Sequence, residues 1–299
     1  MPSSGILNVN KPAGWTSFDV VKFVRGRCGE RRVGHAGTLD PAATGVLPLL
    51  LGHATRLTEY LVDATKSYEA TIMLGVTTDT YDAEGEVVSR RDASGISIGQ
   101  VEAALAHFKG DLMQTPPIYS AIKVKGEPLY KRARRGEDID LQPRPVRVES
   151  LDITEYHPPV LRLSVVCGKG FYVRSLAHDL GESLGVGGML SGLVRTRVGS
   201  FRIEDAVDLE ALTQELLDGT WARRLYAPDE VLLHWRAAIL ESESAAHLRN
   251  GRPAMLQVQV PIDAGDLARA YSVDGDLLAV MRAESPSVWR PEKVFLQET

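Results

Sequence analysis

Cysteine is scarce in this 299-residue chain, with Cys28 and Cys167 as the only two. Two cysteines cannot build a disulfide framework or a four-cysteine zinc site. The seven histidines show neither HxxxH nor any pairing with CxxC, so no resident metal is expected. Nucleotide-binding glycine signatures, internal repeats and low-complexity stretches are absent as well. No apolar run approaches membrane-spanning length, and the opening MPSSGILNVNKP has no basic-then-apolar leader pattern; a cytoplasmic protein is expected. Net positive charge, the simplest sign of a polyanionic partner, is also missing, because the formal charge is -5.

What is present is a foldable chain whose charges are unevenly spread. Hydrophobic residues make up 44% and charged residues 24%, enough for one large domain and a small one. Residues 123–147 carry eight basic groups (Lys123, Lys125, Lys131, Arg132, Arg134, Arg135, Arg144, Arg147) against four acidic ones. The stretch 203–233 reverses this, with eight acidic groups and only Arg223 and Arg224 as basic ones. A locally basic surface on an acidic protein suits docking of a folded RNA, although such a run alone is more often a solvated helical face.

Periodicity predicts the elements. Residues 6–9 read as a strand closed by the turn Lys11-Pro12-Ala13-Gly14, and Ser17 reads as the N-cap of a helix. Residues 54–65, 98–108 and 174–184 read as helices; 68–76, 146–155 and 161–167 read as strands. Strands and helices do not alternate regularly, so the expectation is an α+β domain with a mixed, largely antiparallel sheet flanked by helices. From about 237 the texture shortens to a helix at SESAAHLRNG and strands near 257–262, 269–274, 277–282 and 293–297, as in a small β-barrel. The division expected is therefore 1–236 and 237–299.

One loop stands out. In GHAGTLDPAATG, Asp40 lies among glycines and before a proline, on backbone that can approach a ligand closely. An isolated Leu-Asp-Pro would read only as an Asx turn. The whole string GHAGTLDPAATGVLPLLLG, however, resembles the catalytic loop of the TruB family of tRNA pseudouridine synthases. GILNVNKPAGWTS resembles that family's N-terminal motif, and KSYEATIMLG its tyrosine-bearing strand. QTPPIYSAIKVKGEPLYKRARRGE resembles its RNA-gripping segment, about 109–147, and CGKGFYVRSLAHDLGESLG and GLVRTRVGSF its remaining pocket motifs. The last 60 residues or so are similar to the PUA-type RNA-binding module, more weakly.

The resemblance implies a pseudouridine-synthase catalytic domain with a PUA-like barrel, converting uridine-55 in the T loop of tRNA to pseudouridine. It implies Asp40 as the catalytic carboxylate, and Tyr68, Tyr172, Arg174, Leu193 and His35 around the extruded base. Tyr68 would stack on that base, Arg174 would pair with Asp40, and Leu193 would line the pocket. For His35, hydrogen bonding to the RNA or the backbone competes with any direct chemical role. Lys11 and Pro12 fall in the N-terminal motif with a structural role, and Phe171 stands where a smaller or hydroxylated residue is expected. Lys123, Lys125, Lys131, Arg132, Arg134 and Arg135 are the candidates for the RNA backbone.

These roles also make chemical sense. The isomerisation is redox-neutral and needs no cofactor, and an ionised carboxylate can begin it. It can attack the sugar C1′ or the base C6, or remove the C2′ proton. A guanidinium opposes the rise in pKa that burial imposes on a carboxylate. Flipping the uridine costs stacking, which an aromatic can replace at roughly 1–3 kcal/mol per base. The expected partner is the tRNA T arm, with no guide RNA, no obligatory protein partner and a monomeric state. The rivals are a guide-dependent relative of the dyskerin type, a non-enzymatic RNA-binding protein, and a two-carboxylate glycosidase using Asp63 or Asp179 as second acid.

Overall fold

The computed structural model describes residues 4–120, 123–124, 127–128, 135, 141–256 and 260–295. A ten-stranded mixed sheet forms the body. Its strands, in chain order, are β1 (Gly5–Lys11), β2 (Val33–His35), β3 (Thr44–Leu51), β4 (Lys66–Leu74) and, after a small hairpin of β5 (Val76–Thr78) and β6 (Val87–Arg90), β7 (Gly110–Gln114). A second short hairpin, β8 (Lys123–Val124) and β9 (Glu127–Pro128), precedes β10 (Arg144–His157), β11 (Val160–Cys167), β12 (Gly188–Val198), β13 (Phe201–Arg202) and β14 (Val207–Asp208). The order across the sheet is β14-β1-β3-β12-β4-β11-β10-β7, with β2 on β3 and β13 on β12. Only the β1–β14 and β3–β12 pairings are parallel, so the expected mixed, largely antiparallel α+β sheet is what forms.

Hydrophobic patterning explains the layout. The run Val46–Leu51 in β3 is buried at every position, as a central strand covered on both faces requires. β4 alternates instead, with Ala70, Ile72 and Leu74 in the core. The Val173–Ser183 helix lies on β12, and Gly181 permits the approach: a Cβ there would fall 2.1 Å from the carbonyl carbon of Gly187. The first helix, Ser17–Arg25, is capped one residue earlier than expected. Thr16 accepts from the Asp19 backbone N–H and Asp19 reaches back to Thr16, a reciprocal capping box. Ser17 turns away to bind Leu39 of the Asp40 loop. The stretch 54–65 is a 3-10 turn, Gly52–Leu57, running into a short helix, Thr58–Asp63.

A second sheet follows, with β15 (Arg236–Leu240), β16 (Ala254–Met255), β17 (Leu267–Ser272), β18 (Leu277–Ala283) and β19 (Val288–Val294) in the order β15-β17-β18-β19-β16. This five-stranded sheet curls into a PUA-like half-barrel. The strand expected near 293–297 lies earlier, at Val288–Val294; of the one expected near 257–262, residues 257–259 lie outside the described residues and 260–262 form no strand. The sheet is not merely tethered. Val280 and Phe295 complete a core cluster with Ile6, Leu50, Leu57 and Val231 of the larger body. No helix among the described residues is long and apolar enough to cross a membrane.

Candidate active site

Four neighbouring structural pieces meet where β3, β12 and β4 run side by side. The loop before β3 supplies Asp40. β4 supplies Lys66 and Tyr68, β12 supplies Leu193 and Arg195, and the start of the Val173–Ser183 helix supplies Tyr172 and Arg174. Together they line a cavity of about 360 Å³. The Asp40 loop is fixed on both sides. Ser17 Oγ accepts from the Leu39 N–H at 2.8 Å and donates to the Leu39 carbonyl at 3.1 Å. Pro41 O accepts from the Gly14 N–H at 2.9 Å and from Lys11 Nζ at 3.1 Å. Gly45, at φ +103°, lets the loop enter the sheet, because a Cβ there would lie 2.2 Å from the Arg195 carbonyl oxygen.

Arg174 organises the charge. Its Nε lies 3.1 Å from Asp40 Oδ2 and its Nη2 donates to Asp40 Oδ1 at 3.2 Å, a two-point grip on one carboxylate. Nη1 donates to Asp82 Oδ2 at 3.3 Å and to the Thr80 carbonyl at 3.5 Å; Nη2 also donates to the Tyr119 carbonyl at 2.9 Å. A guanidinium has five N–H bonds, and five acceptors surround this one. Burial pushes the Asp40 carboxyl above the usual carboxylate range; Arg174 pulls it back, Asp82 adds to the rise and Lys11 lowers it. The result is a carboxylate aimed into a cavity in which it is the only acidic side chain among the described residues.

Residues 25–173 match the TruB family pseudouridylate synthase N-terminal domain, and residues 174–234 match the tRNA pseudouridylate synthase B C-terminal domain. A tRNA pseudouridine synthase B of Dehalococcoides mccartyi (strain ATCC BAA-2100 / JCM 16839 / KCTC 5957 / BAV1) is 40% identical over 295 residues, 99% of this chain and 97% of its own. This chain belongs to the TruB family. A second relative of the same name, from Symbiobacterium thermophilum, is 50% identical across 70% of this chain and 71% of its own. Among solved structures, a Cbf5 chain in the archaeal box H/ACA sRNP Nop10–Cbf5 complex superposes with a TM-score of 0.74 at 25% identity, covering 98% of this chain and 86% of that one. An H/ACA RNP bound to a substrate RNA containing 2'-deoxyuridine gives 0.75 at 25% identity, covering 98% and 85%.

Of the residues singled out from the sequence of this TruB-family chain, Asp40, Tyr68, Tyr172, Arg174 and Leu193 all face the one cavity, and Phe171 forms part of its wall. His35 does not line it. It sits on β2, its pKa is lowered by burial and by Arg195, and its Nδ1 is buried without a partner, so it carries no charge to offer at neutral pH. Lys11 has the expected structural place, fully buried with its ammonium on the carbonyls of Pro12, Trp15 and Pro41; burial lowers its pKa to about 8. Of the backbone candidates, Lys125, Lys131, Arg132 and Arg134 lie outside the described residues. Lys123 falls on β8, and Arg135 is exposed.

Three site residues escaped the sequence reading. Arg195 is 1% exposed, donates to the carbonyls of Val46 and Gly37, and hydrogen-bonds Tyr68, which stands opposite it across β4 and β12. Period-two spacing from Leu193 could have found it, because 193 and 195 share a strand face. Lys66 could have been found the same way from Tyr68; its ammonium caps the carbonyls of Val62 and Ala64, and burial lowers its pKa to about 8. Asp82, in the turn TDTYDAEGE, has no such signal, since four acidic residues crowd that turn. The acids weighed as partners, Asp63 and Asp179, do not line the cavity, and Asp63 is paired with Lys169 at 2.9 Å. Among the described residues, a two-carboxylate glycosidase site is therefore not formed.

Proposed function

We propose that this chain converts uridine-55 in the T loop of tRNA to pseudouridine, using Asp40 and no guide RNA. The observation that carries the proposal is a single carboxylate, gripped at two points by a buried arginine, at the wall of a cavity roomy enough for a nucleobase and flanked by two tyrosines. Tyr68 stacks on the extruded uracil, Tyr172 and Leu193 bound its edges, and Arg174 holds Asp40 ionised and oriented. From that position the carboxylate serves attack at C1′ or C6, or removal of the C2′ proton. The uracil detaches, turns in the cavity and rejoins through carbon, with no change of oxidation state. The hydroxyl of Tyr68 is engaged by Arg195, which holds the ring in place for stacking.

Independence from a guide is supported by the higher identity to relatives named for tRNA, 40% across 99% of this chain, against 25% to the H/ACA structures. The half-barrel and the segment carrying Lys123, Lys125, Lys131, Arg132, Arg134 and Arg135 are assigned to gripping the RNA backbone. Incubating the purified chain alone with unmodified tRNA, in buffer containing EDTA, and mapping pseudouridine tests the reading. Modification confined to the T loop supports it. Strict dependence on an added guide RNA would favour the dyskerin-type rival.

A further inference from the structure

The Asp82 turn shows how the pocket is braced from behind. Tyr81 is the only non-glycine among the described residues with a left-handed backbone, at φ +64°. A bulky aromatic rarely accepts that conformation, and glycine would occupy it without strain. Its ring lies flat on His178, with centroids 3.9 Å apart and planes 11° from parallel. His178 follows Arg174 by four residues on the Val173–Ser183 helix, so the two share a helix face. Adjacent residues of the turn thus engage successive turns of one helix: Asp82 takes Arg174, and Tyr81 takes His178.

The other side of the turn is secured by β12. The Leu190 N–H donates to the Tyr81 carbonyl at 2.9 Å, and the Ala83 N–H donates to the Leu190 carbonyl at 3.0 Å. Asp82 itself is preset, accepting from Thr80 Oγ1 at 2.6 Å and from the Glu84 N–H at 3.1 Å through Oδ1, which leaves Oδ2 for Arg174. His178 Nδ1 is buried and bonds to nothing, so what its imidazole contributes here is a face rather than a hydrogen bond. A strained backbone retained for one side-chain contact, next to the carboxylate that shares an arginine with Asp40, is the pattern of stored local strain at a working site.

We propose that Tyr81 and His178 are positioning residues for the reaction, their ring stack clamping the Asp82 turn to the helix of Arg174 and thereby fixing the direction of the Asp40 carboxylate. This rests on Asp40 being the reacting group. The chemistry is sensitive to such a clamp because misplacing a catalytic group by about 1 Å costs on the order of 100-fold in rate.

The variants Tyr81→Gly, Tyr81→Phe, His178→Leu and His178→Phe separate the possibilities, read by single-turnover conversion of a T-arm RNA and by thermal unfolding. Tyr81→Gly relieves the backbone but removes the ring. It should lower the rate at saturating RNA by about tenfold or more, leave the apparent RNA affinity within about twofold, and not lower the melting temperature. His178→Leu should lose rate in the same way, and the Tyr81→Gly/His178→Leu pair should lose no more than either alone. Tyr81→Phe and His178→Phe, which keep a face for stacking, should return to within about twofold of wild type. Should Tyr81→Gly not fold, the His178 pair decides the matter alone. Wild-type rates in both ring-removing variants, or losses confined to stability or RNA affinity, would overturn the clamp. A wild-type chain that forms no pseudouridine would overturn the proposed function first, and the clamp with it.

Discussion

Replacing Arg174 should strike both stability and the pH range of activity. The side chain is 7% exposed and satisfies two carboxylates and two backbone carbonyls. Arg174→Ala strands Asp82, whose side chain is 13% exposed, without its charge partner. Breaking a buried pair costs about 3–5 kcal/mol, and a fold this large shifts its melting temperature by roughly 2–4 °C per kcal/mol; a drop of about 6–20 °C is expected. Arg174→Lys keeps the charge but cannot span both carboxylates, so it should fold better and still react slowly. The pH effect has a definite sign. On the proposed role Asp40 reacts ionised, and burial already raises its pKa above the ordinary value, so activity should fall as pH drops through that raised pKa. Arg174 is the largest influence opposing the rise, so weakening its grip moves the acidic limb to higher pH. Single-turnover rates of Arg174→Lys on a T-arm RNA from acid to neutral pH, beside calorimetric melting of both variants, read these effects. An acidic limb that superposes on wild type, with Arg174→Ala melting unchanged, would refute the electrostatic argument.

Cutting the chain after residue 236 should do more than remove an RNA contact. It strips Val280 and Phe295 from the core around Ile6 and Leu50, at about 1.5–3 kcal/mol for each side chain exposed, so the shortened chain should melt lower even without RNA; an unchanged melting temperature would show the half-barrel to be a mere appendage. In the basic segment, replacing Arg132, Arg134 and Arg135 by Ala should weaken tRNA binding and flatten its salt dependence by roughly 0.7–0.9 in log–log slope per lost phosphate contact. Filter binding across a salt series checks it, and an unchanged slope would return these residues to a solvated surface.

Much of the fold around the site was legible because its backbone signals are local, while the roles of Asp40 and Tyr68 came only from the family resemblance. Glycines and a proline around Asp40, alternation through Tyr68, and an apolar run for β3 each announce themselves within a dozen residues. What stayed hidden depends on contacts between distant segments. Asp82 meets Arg174 across 92 positions, and no feature of TDTYDAEGE marks which of its acids points inward. Ser17 looked like a helix cap until the Asp40 loop, 22 residues on, claimed its hydroxyl and left the cap to Thr16. His35 illustrates the converse: it belongs to the motif by position, yet a strand carries its ring out of the cavity lining. The half-barrel's seat on the larger body was invisible for the same reason, because Val280 and Phe295 look like ordinary strand residues until Ile6 is placed beside them.

The central claim is that the Asp40 carboxylate performs the chemistry. Its most direct test is Asp40→Asn, assayed by pseudouridine mapping of tRNA under single-turnover conditions, beside tRNA binding and melting of the variant. Asparagine keeps the shape, Arg174 keeps Asp82, and a group that burial disfavours in its charged form is removed, so the fold should be no less stable at neutral pH. Binding should stay within about tenfold of wild type, since on the proposed reading the phosphate contacts that dominate affinity lie elsewhere. Pseudouridine formation should vanish. Conversion at more than about one per cent of the wild-type rate would contradict the account, because losing a group that acts in covalent or acid–base catalysis costs more than that.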